Sequence, residues 1–387
     1  MLYLLANWSE HFGPLRLFDY VTFRAAGAFL TAFLAVFFAI PPLLPFFRKH
    51  CVQKSARTDD APQQKPVTPL MGGVIIIAGI VLATVLWGKF PERTLIVFLL
   101  ATLGLTALGM ADDIIKTRYL RSEKDGVKER TKLIVQAVVA VFAIYALYKT
   151  HGAVTMQVYC PFSRQPFQFL PGAENIAVWL PFMKEPLCYL PLQVMPVCLI
   201  IMLGFNYAVL AGTSNGVNLT DGKDGLAAGC MIFAALAFAA VAYLHSHTLF
   251  ASYLKIPYIP QAGEVCIYSC AIAGACLGFL WHNCAPATII MGDTGSLALG
   301  GALSLVAILL GQQLLMPIIG FIFFIEAASV WIQRKSYRYR NGKRVFLMAP
   351  LHHHYEKKGV PDPKLTIRFW IVAGICALIG LATLKMR

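Results

Sequence analysis

Ten apolar runs, each about the length that crosses a bilayer, follow one another along the 387 residues: about 22–46, 70–88, 94–111, 132–149, 192–211, 226–244, 264–281, 295–311, 314–333 and 367–384. Nothing else in the chain narrows the fold as much. Runs of ~20 apolar residues have no place in an ordinary soluble core, and in lipid a helix satisfies its own backbone hydrogen bonds. With 58% hydrophobic and 13% charged residues and a mean hydropathy of +0.65, little is left for a separate soluble domain. The expected fold is an all-α integral membrane protein, a bundle of ten transmembrane helices forming one domain over 1–387. Pro41, Pro42 and Pro45 follow the first run where a cleavable signal would need small residues, so that run reads as a retained span. The longest connection, 150–191, is rich in proline and reads as an irregular cap with room for a short hairpin.

The net charge of +14 raises nucleic acid as a partner, but the distribution of charge points elsewhere. With the N-terminus outside, the alternating spans place 23 of the 33 basic residues in five inner loops. That is the positive-inside asymmetry, and it puts both termini and the 150–191 loop on the outer, periplasmic face. Such an inner face suits anionic lipid head groups or a phosphorylated ligand, not nucleic acid. Most of the ten cysteines lie in apolar spans as small core residues, and none shows metal-ligand spacing. Cys160 and Cys188 share the outer loop, which leaves a disulfide between them open.

The polar motifs all fall on the inner side of this charge-derived topology. They are "KPVTPLMGG" (65–73), "GMADDII" (109–115), "NLTDGKDG" (218–225), "MGDTGS" (291–296) and "APLHHHYEKKG" (349–359). Each has a plain structural reading. Asp112 and Asp113 would end a helix facing water, and 218–225 would be a turn. Asp293 would cap the eighth span with Thr294 and Ser296 as partners, the three histidines would be a solvated tract, and Glu326, within the ninth span, would bond a neighbouring helix. Their concentration on one face argues instead for a single site at the cytoplasmic mouth of the bundle.

Carboxylates gathered at one site call for a counter-charge from lysine or a divalent cation. Asp oxygens suit Mg²⁺, which is commonly held by one or two carboxylates together with substrate phosphates. A metal so held would bridge diphosphate oxygens and stabilise a leaving phosphate. Lys65 and Lys132 are candidate phosphate clamps. The glycines of 222–225 and 292–295 would let backbone N–H groups approach phosphate at two helix starts. His352, His353 and His354 fit hydrogen-bond donors to a phosphate or a base better than a metal site, because adjacent side chains diverge. No Walker P-loop is present.

These stretches, together with "KRVFLMAPLHHHYEKKG" and "IRFWIVAGICALIGLATLK", resemble the polyprenyl-phosphate N-acetylhexosamine-1-phosphate transferases, in the family's order from residue 68 to the C-terminus. The run "MAPLHHHYE" resembles the branch whose donor is UDP-MurNAc-pentapeptide. The resemblance implies ten helices with both termini outside, transfer of phospho-MurNAc-pentapeptide to undecaprenyl phosphate with release of UMP, a requirement for Mg²⁺, an inner-membrane location and a homodimer. By matched position it implies Asp293 as the main Mg²⁺ ligand and Asp112 and Asp113 as the essential acidic pair, Asp112 activating the lipid phosphate. It places Asn218, Asp221 and Asp224 along the nucleotide and metal region, His352, His353 and His354 against the uridine-diphosphate part, and Lys65 as the basic residue before "TPLMGG". Three positions depart from the pattern: Leu70 replaces a threonine, Lys223 a leucine, and Leu347 a basic residue. Positions 70 and 347 therefore carry no ligand role, and Lys223 adds a charge with no evident task. The competing readings are a sister transferase for another UDP-amino sugar and an ion-coupled transporter.

Overall fold

The computed structural model describes residues 1–51, 68–118, 126–151, 157–158, 167–171, 175–179 and 187–386. Two 3-10 turns, Leu2–Trp8 and Gly13–Asp19, lead into α1 (Val21–His50), α2 (Gly73–Trp87), α3 (Arg93–Arg118) and α4 (Glu129–His151). After the 150–191 connection come α5 (Met195–Thr220), α6 (Leu226–Ser246), the short α7 (Thr248–Leu254), α8 (Ala262–Asn283) and α9 (Gly292–Leu309). The chain closes with α10 (Met316–Ile319), α11 (Phe321–Tyr339), α12 (Leu351–Lys357) and α13 (Asp362–Thr383).

Among the described residues, eight helices are long and apolar enough to cross a membrane: α1, α3, α4, α5, α6, α8, α9 and α13. The protein is thus a helical, multi-pass membrane protein. Two of the expected runs take a different form. The second becomes α2, whose 15 residues fall short of a full span. The ninth is broken: the Gln313–Ile319 and Phe321–Tyr339 segments meet at 89° across Gly320. Conversely, α1 runs on through Pro41, Pro42 and Pro45 to His50.

Helix α9 is the axis of the bundle. From Thr294 to Leu309 every residue is buried, and it packs on α2, α3, α5, α6 and α8. Lipid tails are as apolar as leucine, so close backbone approach and dispersion, rather than expulsion from water, drive such contacts. The sequence supplies small residues where they are needed. A side chain at Gly73 would strike the backbone of Gly295, one at Gly300 would lie 2.6 Å from Ser214 Cα, and one at Gly109 would strike the backbone of Asp293. These contacts bring the start of α2 and the later part of α3 against the start of α9, and the later part of α5 against its middle.

Within 150–191, where an irregular cap with room for a short hairpin was expected, the described residues form a four-stranded antiparallel meander: β1 (Gln157–Val158), β2 (Phe167–Pro171), β3 (Asn175–Trp179) and β4 (Cys188–Pro191). Cys188 is an exposed thiol on β4; Cys160 lies outside the described residues. At the same end of the bundle a buried ion pair joins α1 to α8, with Arg24 Nη2 2.8 Å from Glu264 Oε1. Glu264 also accepts from the Lys89 amide at 2.7 Å, which closes the α2–α3 turn.

Candidate functional site

Adjacent positions on a helix point about 100° apart, and this separates the two acids of "ADDII". Asp113 faces α9. Its carboxylate accepts the backbone N–H of Asp293 (3.1 Å), the backbone N–H of Thr294 (2.9 Å) and the Thr294 hydroxyl (2.6 Å). The start of α9 is therefore capped by an acid from α3, not by Asp293 as the local sequence suggests. The negative charge also sits where the helix dipole favours it. The chain reaches this position through Gly292 at φ +74°, where a side chain would collide with the Asp113 carboxylate at 2.6 Å. Only glycine takes that backbone conformation without strain.

Asp112 faces two lysines. Its Oδ2 lies 2.6 Å from Lys116 Nζ, one turn along α3, and 3.1 Å from Lys132 Nζ on α4, while Oδ1 accepts the Val127 N–H at 2.6 Å. The same two ammonium groups reach Asp293 Oδ2, at 3.2 Å from Lys116 and 2.5 Å from Lys132. Asn218, on the last turn of α5, donates to Asp293 Oδ1 and to Ser296 Oγ, both at 2.9 Å. Carboxylate oxygens of Asp112, Asp113 and Asp293 come within 4.8 Å of one another.

Asp221 follows α5 and borders the same cavity, a space of about 240 Å³ lined by Leu70, Asp113, Lys116, Asn218, Asp221 and Asp293. Burial first, then the charges of Asp293 and Asp113, push the Asp221 carboxyl well above the usual carboxylate range. Asp113, Asp221 and Asp293 share the space with Lys116, and Asp112 and Lys132 join the cluster through their ion pairs with Lys116 and Asp293. Carboxylate oxygens at this spacing fit Mg²⁺ by donor type. Asp293, Asp112 and Asp113 are the residues that could hold it.

Asp224 is turned the other way: its Oδ2 accepts the Ala287 N–H at 3.0 Å and so ties the 221–225 loop to the α8–α9 connection. Lys65 lies outside the described residues. Leu70, where the resemblance leads to threonine, lines the acidic cavity with an apolar side chain.

The histidines sit on α12: the ring centroids of His352 and His353 lie 4.2 Å apart, while His354 packs against Phe346. His352 is buried. Its Nδ1 lies 3.1 Å from Glu326 Oε2, and its backbone N–H donates to Glu326 Oε1 at 3.1 Å. Glu326, buried in α11, therefore caps α12 and orients the His352 ring. The other ring nitrogen, Nε2, has no hydrogen-bond partner among the described residues and rests against Gly222, one residue from Asp221. His353 Nδ1 lies 2.8 Å from Glu356 Oε2. Burial, working against the pull of Glu356, lowers the His353 pKa, so the ring is neutral at neutral pH. Because an ionised carboxylate only accepts, Nδ1 carries the proton and Nε2 is left as an acceptor. His354 accepts the Leu347 N–H at Nδ1 (3.1 Å) and secures the preceding loop.

The family described as glycosyl transferase family 4 matches residues 95–311, which run from α3 to α9 and include Asp112, Asp113, Asp221 and Asp293. A phospho-N-acetylmuramoyl-pentapeptide-transferase of Thermodesulfovibrio yellowstonii is 38% identical over 392 aligned positions that span the whole of both chains. The chain belongs to this transferase family. Within the family frame, two participants, Lys116 and Glu356, were not singled out in the sequence. Lys116 bridges both acids, and the signal was its i, i+4 spacing from Asp112 on one helix face. Glu326, read from the sequence as bonding a neighbouring helix, does so by serving α12 and not the acid cluster. Glu356 holds both His353 and Lys223, and no local spacing could announce the second of these.

Proposed function

We propose that the protein transfers phospho-MurNAc-pentapeptide from its UDP carrier to undecaprenyl phosphate, giving lipid I and UMP, at the cytoplasmic face of the bacterial inner membrane. The observation that carries this reading is the convergence of Asp112, Asp113 and Asp293 from α3 and α9 within 4.8 Å, beside a histidine-bearing helix. Mg²⁺ held by these carboxylates would supply charge stabilisation for a departing phosphate.

The acceptor's phosphate oxygen attacks the sugar-linked phosphorus. The bond from that phosphorus to the bridging oxygen breaks, and UMP departs with the oxygen and its electron pair. A two-step route through a phosphorylated Asp112 is disfavoured by its surroundings, because ammonium groups at 2.6 and 3.1 Å make that carboxylate a weaker nucleophile. Asp112 is better placed to orient the incoming lipid phosphate. Among the described residues, Lys116 lines the cavity and Lys132 reaches its Asp293, so both are cations a phosphate entering there could meet.

A place for the lipid tail lies along the broken helix. An apolar groove of about 490 Å³ runs between α5 and α10–α11, lined by Gly212, Thr213, Gly320, Phe323, Ala327 and Trp331 among others. Gly212 and Asn218 lie on the same helix six residues apart, about 9 Å at the helical rise. A chain in the groove would therefore present its phosphate near the acids.

The test is detergent-purified protein assayed for UMP release with UDP-MurNAc-pentapeptide and a polyprenyl phosphate, with and without Mg²⁺. Release that needs both substrates and the metal is expected. Equal turnover of UDP-GlcNAc would transfer the assignment to a sister reaction, and no release with all components present would remove it.

A further inference from the structure

Lys223 stands where the family pattern leads to an apolar residue, and its surroundings define a task for it. It does not reach into the acidic cavity. Its Nζ lies 2.9 Å from Glu356 Oε1 on α12 and 3.0 Å from Asp362 Oδ1 on the first turn of α13. Glu356 uses its second oxygen for His353 Nδ1, at 2.8 Å. The chain of contacts therefore runs from the loop that carries Asp221, through Lys223 and Glu356, to the ring of His353. The Lys223 side chain is only 10% exposed, whereas its two carboxylate partners are 41% and 42% exposed.

We propose that Lys223 is a positioning residue for the UDP-sugar donor: it fixes the 221–225 loop to the histidine helix, so that Asp221 and His353 meet the donor as one unit. This rests on the reading that His353 faces the donor. Helix α12 has seven residues, too few to hold a helix or an orientation by itself, so its placement depends on tethers. Glu326 fixes its first turn from below. Lys223 fixes its last turn from the side. Half-exposed ion pairs contribute little to overall stability, so the clamp acts on geometry and not on whether the protein folds. Burial disfavours the Lys223 ammonium, but Glu356 and Asp362 outweigh it and its pKa is raised, which keeps the clamp charged throughout the neutral range.

The experiment is steady-state kinetics on the full-length protein in detergent with both natural substrates. Lys223→Leu is expected to raise the donor KM several-fold, to raise it more than it lowers kcat, and to leave the KM for polyprenyl phosphate within twofold. Lys223→Arg, which keeps the charge and reaches two carboxylates, should restore most of the donor KM. In the double variant with Glu356→Gln the two effects should combine to much less than their product, since both remove one link. A donor KM unchanged by Lys223→Leu, or donor and acceptor KM rising together as from general loosening, would overturn the clamp. His353→Ala separates the two levels. If it leaves the donor KM unchanged, the histidine reading fails; if it raises that KM while Lys223→Leu does not, the clamp alone fails.

Discussion

Asp112 and Asp113 are neighbours in sequence with different work, and substitution should separate them. Asp113→Ala removes a charged cap that serves two backbone N–H groups at the start of α9. Its loss should cost about 1–2 kcal/mol, as for other caps, and lower the thermal midpoint in detergent. Asp112→Ala should abolish transfer with a smaller change in midpoint; equal shifts for the two variants would contradict the division. Gly222 offers a second residue-level test. A methyl group there would strike the His352 ring. Gly222→Ala should therefore lower kcat/KM for the donor roughly tenfold, equivalent to ~1.4 kcal/mol, although the backbone there needs no glycine conformation. At this scale the sequence exposes the acids but not their partners. "DD" shows two carboxylates, yet which one caps a helix depends on α9, some 180 residues away. Lys223 is visible as a charge out of pattern, and its purpose becomes clear only when α12 and α13 pack beside it.

Among the elements, α12 is the one whose seat depends on pH. Glu356 is partly buried, which alone would raise its pKa, but His353 and Lys223 more than offset this and hold it at about 2 against an ordinary 4.5. A depressed carboxylate pKa stabilises the folded state above the unfolded value, and that contribution fades as pH falls through the folded one. Between about pH 4.5 and 2 the attachment of α12 should weaken. Amide exchange in 351–357 should accelerate across that window, corrected for intrinsic rates, while α9 remains protected. Unchanged protection of α12 would refute this. The broken ninth span makes a different prediction. Ala327→Trp would fill the groove beside Trp331 and should raise the KM for polyprenyl phosphate at least several-fold while sparing that for the donor. Apolar periodicity marked 314–333 as one run because composition cannot report an 89° turn; Pro317 and Gly320 are the only local hints. The outer loop left room for a short hairpin, but short strands between prolines give alternation too weak to reveal all four strands.

Over the whole molecule, apolar run length was the most legible signal, because the bilayer imposes it directly. Eight of the ten expected runs are long apolar helices; α2 falls short of a full span and the ninth run is broken at Gly320. The orientation drawn from Lys and Arg can be tested on the natural protein. Cys188 and Cys284 are both exposed and lie in connections assigned to opposite faces. A membrane-impermeant maleimide applied to intact spheroplasts, after mild reduction, should modify Cys188 and reach Cys284 only once the membrane is opened. The reverse pattern would invert the topology and move the acids to the periplasm.

The break at Gly320 has one more implication. A wall that turns aside within its own layer leaves a sideways doorway, so an oily guest can glide in from the surrounding hydrocarbon and never be lifted into water. On the proposed lipid path only its charged head would need to travel, toward Lys116 and Lys132. On this arrangement the cost of handling so long a tail falls on the bilayer, which already dissolves it.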